Sequence, residues 1–432
     1  MTNNSSRRTF IISMVILAFM YFVFGFVSWL NSILIPYFKI VCELTEFWAY
    51  FVDFAFYIAY LVMSIPAGFL LKKIGFKRGI MLGFFILAAG ALIFVPAAMT
   101  RTYVVFLIAL FTMGTGLAIL QTAANPYVTI IGPIDRTVQR MSIMGVFNKF
   151  AGIVSPLIFA TLILKATDRE LLDSLPAMAE VARNAALDEL AGRMMIPYAC
   201  LGVILFAFGL LIRYSVLPEI NTEKESDELA ASHAGKTNVF QFPYLVMGFF
   251  AIFTHVGTQV IAITTIIRYA QSMGLNLLDA KVFAPCTLTA TMLGYIIGIL
   301  CIPRFISQNN ALRTCTITGF ILSICILFMP GTMMFKGSEI SISIIFVALL
   351  GLPNALIYAG IWPLAIRNLG RFTKVGSSLL VMGLCGNAIL PIIYGYYADS
   401  IGLRAAYWVL LPCFVYLIFY AFYGYKITSW KK

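Results

Sequence analysis

The stretch Pro218–Gln241, PEINTEKESDELAASHAGKTNVFQ, is acidic and rich in small residues, and it leaves six long apolar runs before it and six after it. The runs fall near 10–38, 46–71, 79–99, 103–131, 140–165, 194–215, 241–270, 280–303, 311–330, 340–366, 375–398 and 404–425. Each is long enough for a helix that crosses a bilayer, which needs about 20 apolar residues. Working outward, the whole chain of 432 residues is 61% hydrophobic and 11% charged, with a mean hydropathy of +0.94. Soluble proteins carry about a quarter charged residues, so soluble enzymes, disordered chains and nucleic-acid binders are excluded. The fold class is therefore an all-α membrane protein of twelve transmembrane helices in two six-helix halves, residues 1–217 and 242–432, joined by a flexible cytoplasmic linker at 218–241.

The net charge of +12 is unevenly distributed. With the N-terminus inside, 19 of the 30 basic residues fall in inner loops and tails, a bias that puts both termini in the cytoplasm and the chain in the cell (inner) membrane. The run 10–38 is too long for a cleaved leader and is expected to stay as the first span. The eight cysteines form no CxxC pair and read as small core hydrophobes. The outer segment Asp168–Arg193 places Leu171, Leu172, Leu175, Met178 and Val181 at roughly helical spacing, as expected of a surface helix. Sliding the chain by 235 residues superposes Gly116 on Gly351, Leu117 on Leu352, Ser142 on Ser377, Val146 on Val381 and Pro156 on Pro391. Spans 4 and 5 thus repeat in spans 10 and 11, as in transporters built from two related halves with the substrate near the midplane.

The loop between spans 2 and 3 reads Gly68-Phe-Leu-Leu-Lys72-Lys73-Ile-Gly75-Phe-Lys77-Arg78, a glycine-flanked basic turn that resembles the conformational-switch loop of the major facilitator superfamily. Lys72 stands where an Asp is commoner. Four further motifs resemble the fucose–galactose–glucose:proton symporter branch of that superfamily. They are Leu30-Asn31-Ser32-Ile33-Leu34-Ile35-Pro36, Gln121-Thr122-Ala123-Ala124-Asn125-Pro126-Tyr127-Val128-Thr129, Val256-Gly257-Thr258-Gln259, and Asn368-Leu369-Gly370 with Gly376-Ser377-Ser378. The resemblance runs through all twelve spans and implies sugar import coupled to protons, with acids in spans 1 and 4 as the titrating groups. Here those positions are Ser32 and Gln121. The Gly-Arg of span 8 reads Gly298-Ile299, and the Gln expected before the Phe-Asn of span 5 is Gly145.

Sugar hydroxyls need convergent donors and acceptors in a mostly apolar pocket. Gln121 and Asn125 lie four apart, as do Asn354, Tyr358 and Trp362, so each set projects from one helical face of the repeat-equivalent spans 4 and 10. An amide or phenol bonds hydroxyls while an aromatic face packs on sugar C–H groups. Intramembrane amides also serve simply to join helices. Asn31, Asn148 and Gln259 complete the list of candidate substrate ligands.

Three ionisable residues lie within spans, Asp53, Lys149 and His255, where a charge at the centre costs on the order of 3 kcal/mol and marks a pathway or a pair. All three are coupling candidates. Lys149 shares a face with Gly145, Gly152 and Pro156; its readings are a cavity role and snorkelling to the inner surface. Asp53 reads as a proton site, cation ligand or hydrogen-bonded polar residue about seven residues into span 2. His255 sits four residues before Gln259, and an unperturbed value of about 6.5 suits it to protonation, although a lone buried His is also an ordinary neutral group.

The resulting expectation is a secondary transporter, and not an enzyme, that imports a monosaccharide or sugar derivative by alternating access. There is no HExxH motif and no P-loop, no cofactor or metal is expected, and one chain contains a complete pathway, so a monomer is the simplest form. Its partners are the sugar, a co-transported proton or sodium, and the lipid bilayer, with no nucleic acid. Replacing two acids by Ser32 and Gln121 beside Lys149 equally suits an acidic sugar such as a uronate or sialic acid, with Lys149 as counter-charge, or an uncoupled or sodium-coupled carrier. A drug or lipid exporter is the rival class, and it would want a large apolar cavity in place of paired amide rows.

Overall fold

The computed structural model describes residues 2–44, 48, 51–163, 174–175, 178–215, 217, 236–275, 280 and 282–430; the side chains at 2–8, 31–33, 35–36, 134, 156–157 and 160 lie outside that description. Most of the linker expected at 218–241, and residues 164–173 of the outer segment, are likewise outside the described residues.

The apolar runs form helices because lipid offers no partner to a backbone N–H or C=O, so each must be satisfied within its own segment. The first half consists of α1 (Thr2–Val41), α2 (Phe51–Ile74), α3 (Phe76–Thr100), α4 (Tyr103–Ile130), α5 (Thr137–Ile163) and α6 (Met195–Tyr214). The second consists of α7 (Pro243–Thr264), α8 (Phe283–Cys301), α9 (Gln308–Phe328), α10 (Ser343–Ala365), α11 (Gly370–Ile401) and α12 (Ala405–Lys426). Eleven helices of the described residues are apolar and long enough to cross a membrane. The twelfth, α5, has the length at 27 residues but carries Gln139, Arg140, Asn148 and Lys149. Arg140 is buried, and its guanidinium donates to the carbonyls of Val128, Thr129 and Pro133 at 2.6–3.0 Å, which fixes the α4–α5 turn.

Within the first half, α3 packs between α4 and α6, α1 lies along α5, and α2 along α4; in the second, α10 packs on α7, α8 and α9. Stacked Phe94 and Tyr198, with ring centroids 3.8 Å apart, weld α3 to α6. The halves meet chiefly where α2 crosses α11 and α5 crosses α8. At the α2–α11 crossing a Cβ on Gly68 would sit 2.4 Å from Ser378 Oγ, so only glycine admits this approach. Nearer the inner surface Gln139 donates to the Ile299 carbonyl (2.8 Å), the Val138 N–H donates to Gln308 Oε1 (2.7 Å), and Lys374 lies over the Phe76 ring. The inner ends of the two halves are therefore closed on one another.

Three local features refine the expectations. The outer helix Glu180–Gly192 packs through Leu187, Leu190 and Ala191, while Val181 is 84% exposed. Arg101 holds it by bonds to Asn184 Oδ1 (2.8 Å) and Asp188 Oδ1 (3.3 Å), and Arg183 pairs with Glu43. Between α9 and α10 an outer hairpin, β1 (Thr332–Phe335) and β2 (Ser338–Ser341), turns at Lys336 and Gly337, both with positive φ, as a two-residue hairpin requires. Between α2 and α3 the chain reverses at Gly75 (φ 84°); Lys77 donates to the Ser215 carbonyl at 2.6 Å, tying the loop to the end of α6, while Lys72, Lys73 and Arg78 are exposed.

Candidate functional site

Eight helices, α1, α2, α4 and α5 of one half and α7, α8, α10 and α11 of the other, enclose a cavity on the line between the halves; α3, α6, α9 and α12 contribute nothing to its wall. The cavity has a volume of about 130 Å³, smaller than the usual small-molecule site. Its wall combines rings (Tyr21, Phe24, Trp29, Tyr57, Tyr60, Tyr295, Tyr358) with amides (Gln121, Asn148, Gln259, Asn387) and two ionisable groups, Lys149 and His255.

Several of these polar groups are held by neighbours. Gln121 Nε2 donates to the Tyr60 hydroxyl at 2.8 Å. Asn148 Nδ2 donates to the Tyr21 carbonyl at 3.3 Å. Lys149 lies twelve residues into α5, about 18 Å from its inner end at 1.5 Å per residue, and is 5% exposed. Its ammonium donates to Gln259 Oε1 at 3.1 Å and sits 4.8 Å from the centre of the Trp29 ring. That bond joins α5 to α7 across the two halves. Lys149 therefore turns inward and does not extend along the helix to the inner surface. Gly145, one turn earlier, admits the Tyr295 ring: a Cβ there would lie 2.3 Å from Tyr295 Cζ.

A second bond across the halves forms the floor. Asn125 is fully buried, accepts from the Tyr21 hydroxyl and donates through Nδ2 to the Tyr358 hydroxyl at 3.0 Å. Asn125 is five residues from the C-terminal end of α4 and Tyr358 seven from that of α10, so this Tyr21–Asn125–Tyr358 chain closes the cavity on the side of those helix ends. Of the α10 row, Tyr358 faces the space while Asn354 and Trp362 lie behind it, buried, with the Trp362 ring 5.9 Å from that of Tyr358. Both side-chain polar atoms of Asn354 and the Trp362 indole nitrogen are without a hydrogen-bond partner.

His255 lines the cavity at 1% exposure, its ring 6.3 Å from that of Tyr358 and its Nδ1 without a partner. Asp53 lies in the first turn of α2 as described, half-buried and four residues before Tyr57, and does not line the cavity. The Asn31 and Ser32 side chains fall outside the described residues. The geometry thus brings together Gln121, Asn148, Lys149, Gln259, Tyr358 and His255, sets Asn125 beneath them, and leaves Asp53, Asn354 and Trp362 off the wall. Sequence reasoning did not single out Tyr21, Phe24, Ser28, Trp29, Tyr57, Tyr60, Tyr295 and Asn387. Their signal was present as i, i+3, i+7 spacing in Tyr21, Phe24 and Ser28 and i, i+3 in Tyr57 and Tyr60.

Chemically, a wall of amides and phenols set among aromatic faces offers donors and acceptors to hydroxyls and flat surfaces to C–H groups. Comparison with known proteins agrees in character. A glucose/galactose transporter of Brucella abortus is 32% identical over 428 residues, 98% of this chain and 97% of that one. The L-fucose-proton symporter of Escherichia coli is 30% identical, over 96% of this chain and 93% of that one. The crystal structure of the transporter FucP in the outward conformation superposes with a TM-score of 0.81 at 28% identity, covering 96% and 98% of the two chains. Residues 17–385 match the model of the Major Facilitator Superfamily, and this multi-pass membrane chain belongs to that superfamily.

Proposed function

We propose that the chain is a secondary transporter that imports a monosaccharide or sugar derivative across the cell (inner) membrane by alternating access. The observation that carries this reading is the cavity itself, which lies between the halves and is walled by four amides and five tyrosines that can bond hydroxyls. Two hydrogen bonds, Lys149 to Gln259 and Asn125 to Tyr358, span the halves at the cavity, so a sugar that competes for them acts directly on the contact that must break and reform as the halves rock. The names of the relatives, glucose/galactose transporter and L-fucose-proton symporter, support the substrate class and a proton as the coupled ion. In this reading one chain is the working unit and both termini face the cytoplasm.

With Gln121 an amide, a coupling proton needs another site. His255 faces the cavity, and Asp53 stands four residues before Tyr57 at the outer part of α2; these two groups take that role in the proposal. The test is uptake of labelled glucose, galactose and fucose by proteoliposomes. Saturable uptake that accelerates when the inside is made alkaline supports proton symport. His255→Gln and Asp53→Asn variants that both keep the full effect of the pH gradient would refute the coupling assignment, and sodium-driven or gradient-independent uptake would replace it.

A further inference from the structure

We infer that the site is built for a sugar acid, with Lys149 as the counter-charge of the substrate carboxylate. The inference rests on the reading of the cavity as a sugar site and names the class of sugar. An ammonium group has three donors. Lys149 uses one on Gln259 Oε1 and shares its charge with the Trp29 face. The ion pairs among the described residues are Arg101–Asp188, Arg183–Glu43 and Arg193–Glu189, all at the outer end, and none involves Lys149. Among the described residues, none that walls the cavity carries a carboxylate. The cavity thus presents a buried cation with donors to spare and no anion of its own.

An ammonium out of water strongly favours a ligand that neutralises it, because its attraction is screened far less there than at a surface. A neutral sugar leaves that charge uncompensated, whereas a carboxylate at the Lys149 ammonium completes it. The rest of the wall suits the remainder of such a molecule. His255 Nδ1 and Asn387 Oδ1 both line the cavity without a partner and can accept from hydroxyls, while Asn148 and Gln121 present amides and Tyr295 and Trp29 present ring faces. Because Lys149 belongs to one half and Gln259 to the other, a carboxylate that displaces the Gln259 oxygen enters the bond that joins them.

The test compares glucuronate, glucuronamide and glucose as ligands of the purified full-length protein, by calorimetric affinity and by thermal stabilisation, which a ligand of the folded state raises. Glucuronamide keeps the shape of the acid and removes its charge. The expected result is that glucuronate binds at least about tenfold more tightly than either neutral compound, and that Lys149→Met erases the advantage while Lys149→Arg keeps part of it. Equal affinity for acid and amide in the unmodified protein overturns the inference with no variant needed. Binding of neutral sugars alone, unchanged in Lys149→Met, overturns it while leaving the sugar reading intact. Failure of every sugar, acidic or neutral, to bind overturns that reading as well.

Discussion

Gly68→Ala adds one methyl group at the place where α2 and α11 cross, and its effect follows from three distances. The new Cβ would lie 2.4 Å from Ser378 Oγ, 2.8 Å from Ser378 Cβ and 3.2 Å from Val375 Cα. The last is backbone, so the methyl cannot be accommodated by a side-chain rotation alone, and forcing an extra carbon into such a contact costs about 1–3 kcal/mol. The collision exists only while the inner ends are closed, because α2 and α11 belong to different halves. The cost therefore falls on one state, and the balance between inner-closed and inner-open shifts by roughly 5- to 150-fold. Spin labels at the exposed inner positions Arg213 and Arg304, in a cysteine-free background, report that balance as a distance distribution. Gly68→Ala should enrich the long distance, and adding Ser378→Gly, which removes the two tightest contacts, should restore much of the short one, a coupling expected of residues in direct contact. An unchanged distribution in Gly68→Ala, or no restoration by Ser378→Gly, would show that this crossing does not set the state.

Other contacts make equally specific predictions. Tyr358→Phe removes the hydroxyl that accepts from Asn125 Nδ2 and leaves a buried amide donor unpaired; sugar affinity or thermal stability should fall by about 1–3 kcal/mol, measured by titration and unfolding of the same preparation. Phe94→Ala empties a fully buried ring site stacked on Tyr198, and unfolding in detergent should show a loss of about 3–5 kcal/mol with substrate selectivity unaltered. Arg101→Ala frees the helix Glu180–Gly192 from its bonds to Asn184 and Asp188, so hydrogen exchange there should quicken while exchange in α3 and α4 is preserved.

The architecture was legible because the signal is length. Apolar runs of the right size and one acidic linker fix the number of helices, and lipid leaves the backbone no alternative to helix. The outer hairpin was not legible, since Thr332–Ser341 is short and its register rests on the positive φ of Lys336 and Gly337. In the cavity, Gln121, Asn148, Lys149, His255 and Gln259 stand out in sequence because amides and charges are rare in apolar runs. Tyr21, Tyr57, Tyr60 and Tyr295 do not stand out in a chain that is 15% aromatic, where rings fill the core as often as a pocket. Spacing alone also over-reads a face: Asn354, Tyr358 and Trp362 share one, yet only Tyr358 reaches the open space.

The departures from the symporter motifs acquire physical meanings together. Gly145 admits the ring of Tyr295, which a longer side chain would exclude. Gln121 donates to the Tyr60 hydroxyl, a bond that an ionised acid, having no donor, cannot make in that direction. Lys149 then supplies the positive charge that lies among these groups. The central claim is that sugar binds between the halves against this wall. Uptake of labelled sugars into proteoliposomes, compared between the unmodified protein and a Gln121→Leu/Asn148→Leu double variant of equal thermal stability, tests it most directly. The account predicts saturable uptake that falls at least about tenfold in the double variant. Undiminished uptake in that variant, or transport of hydrophobic dyes in place of sugars, would contradict it.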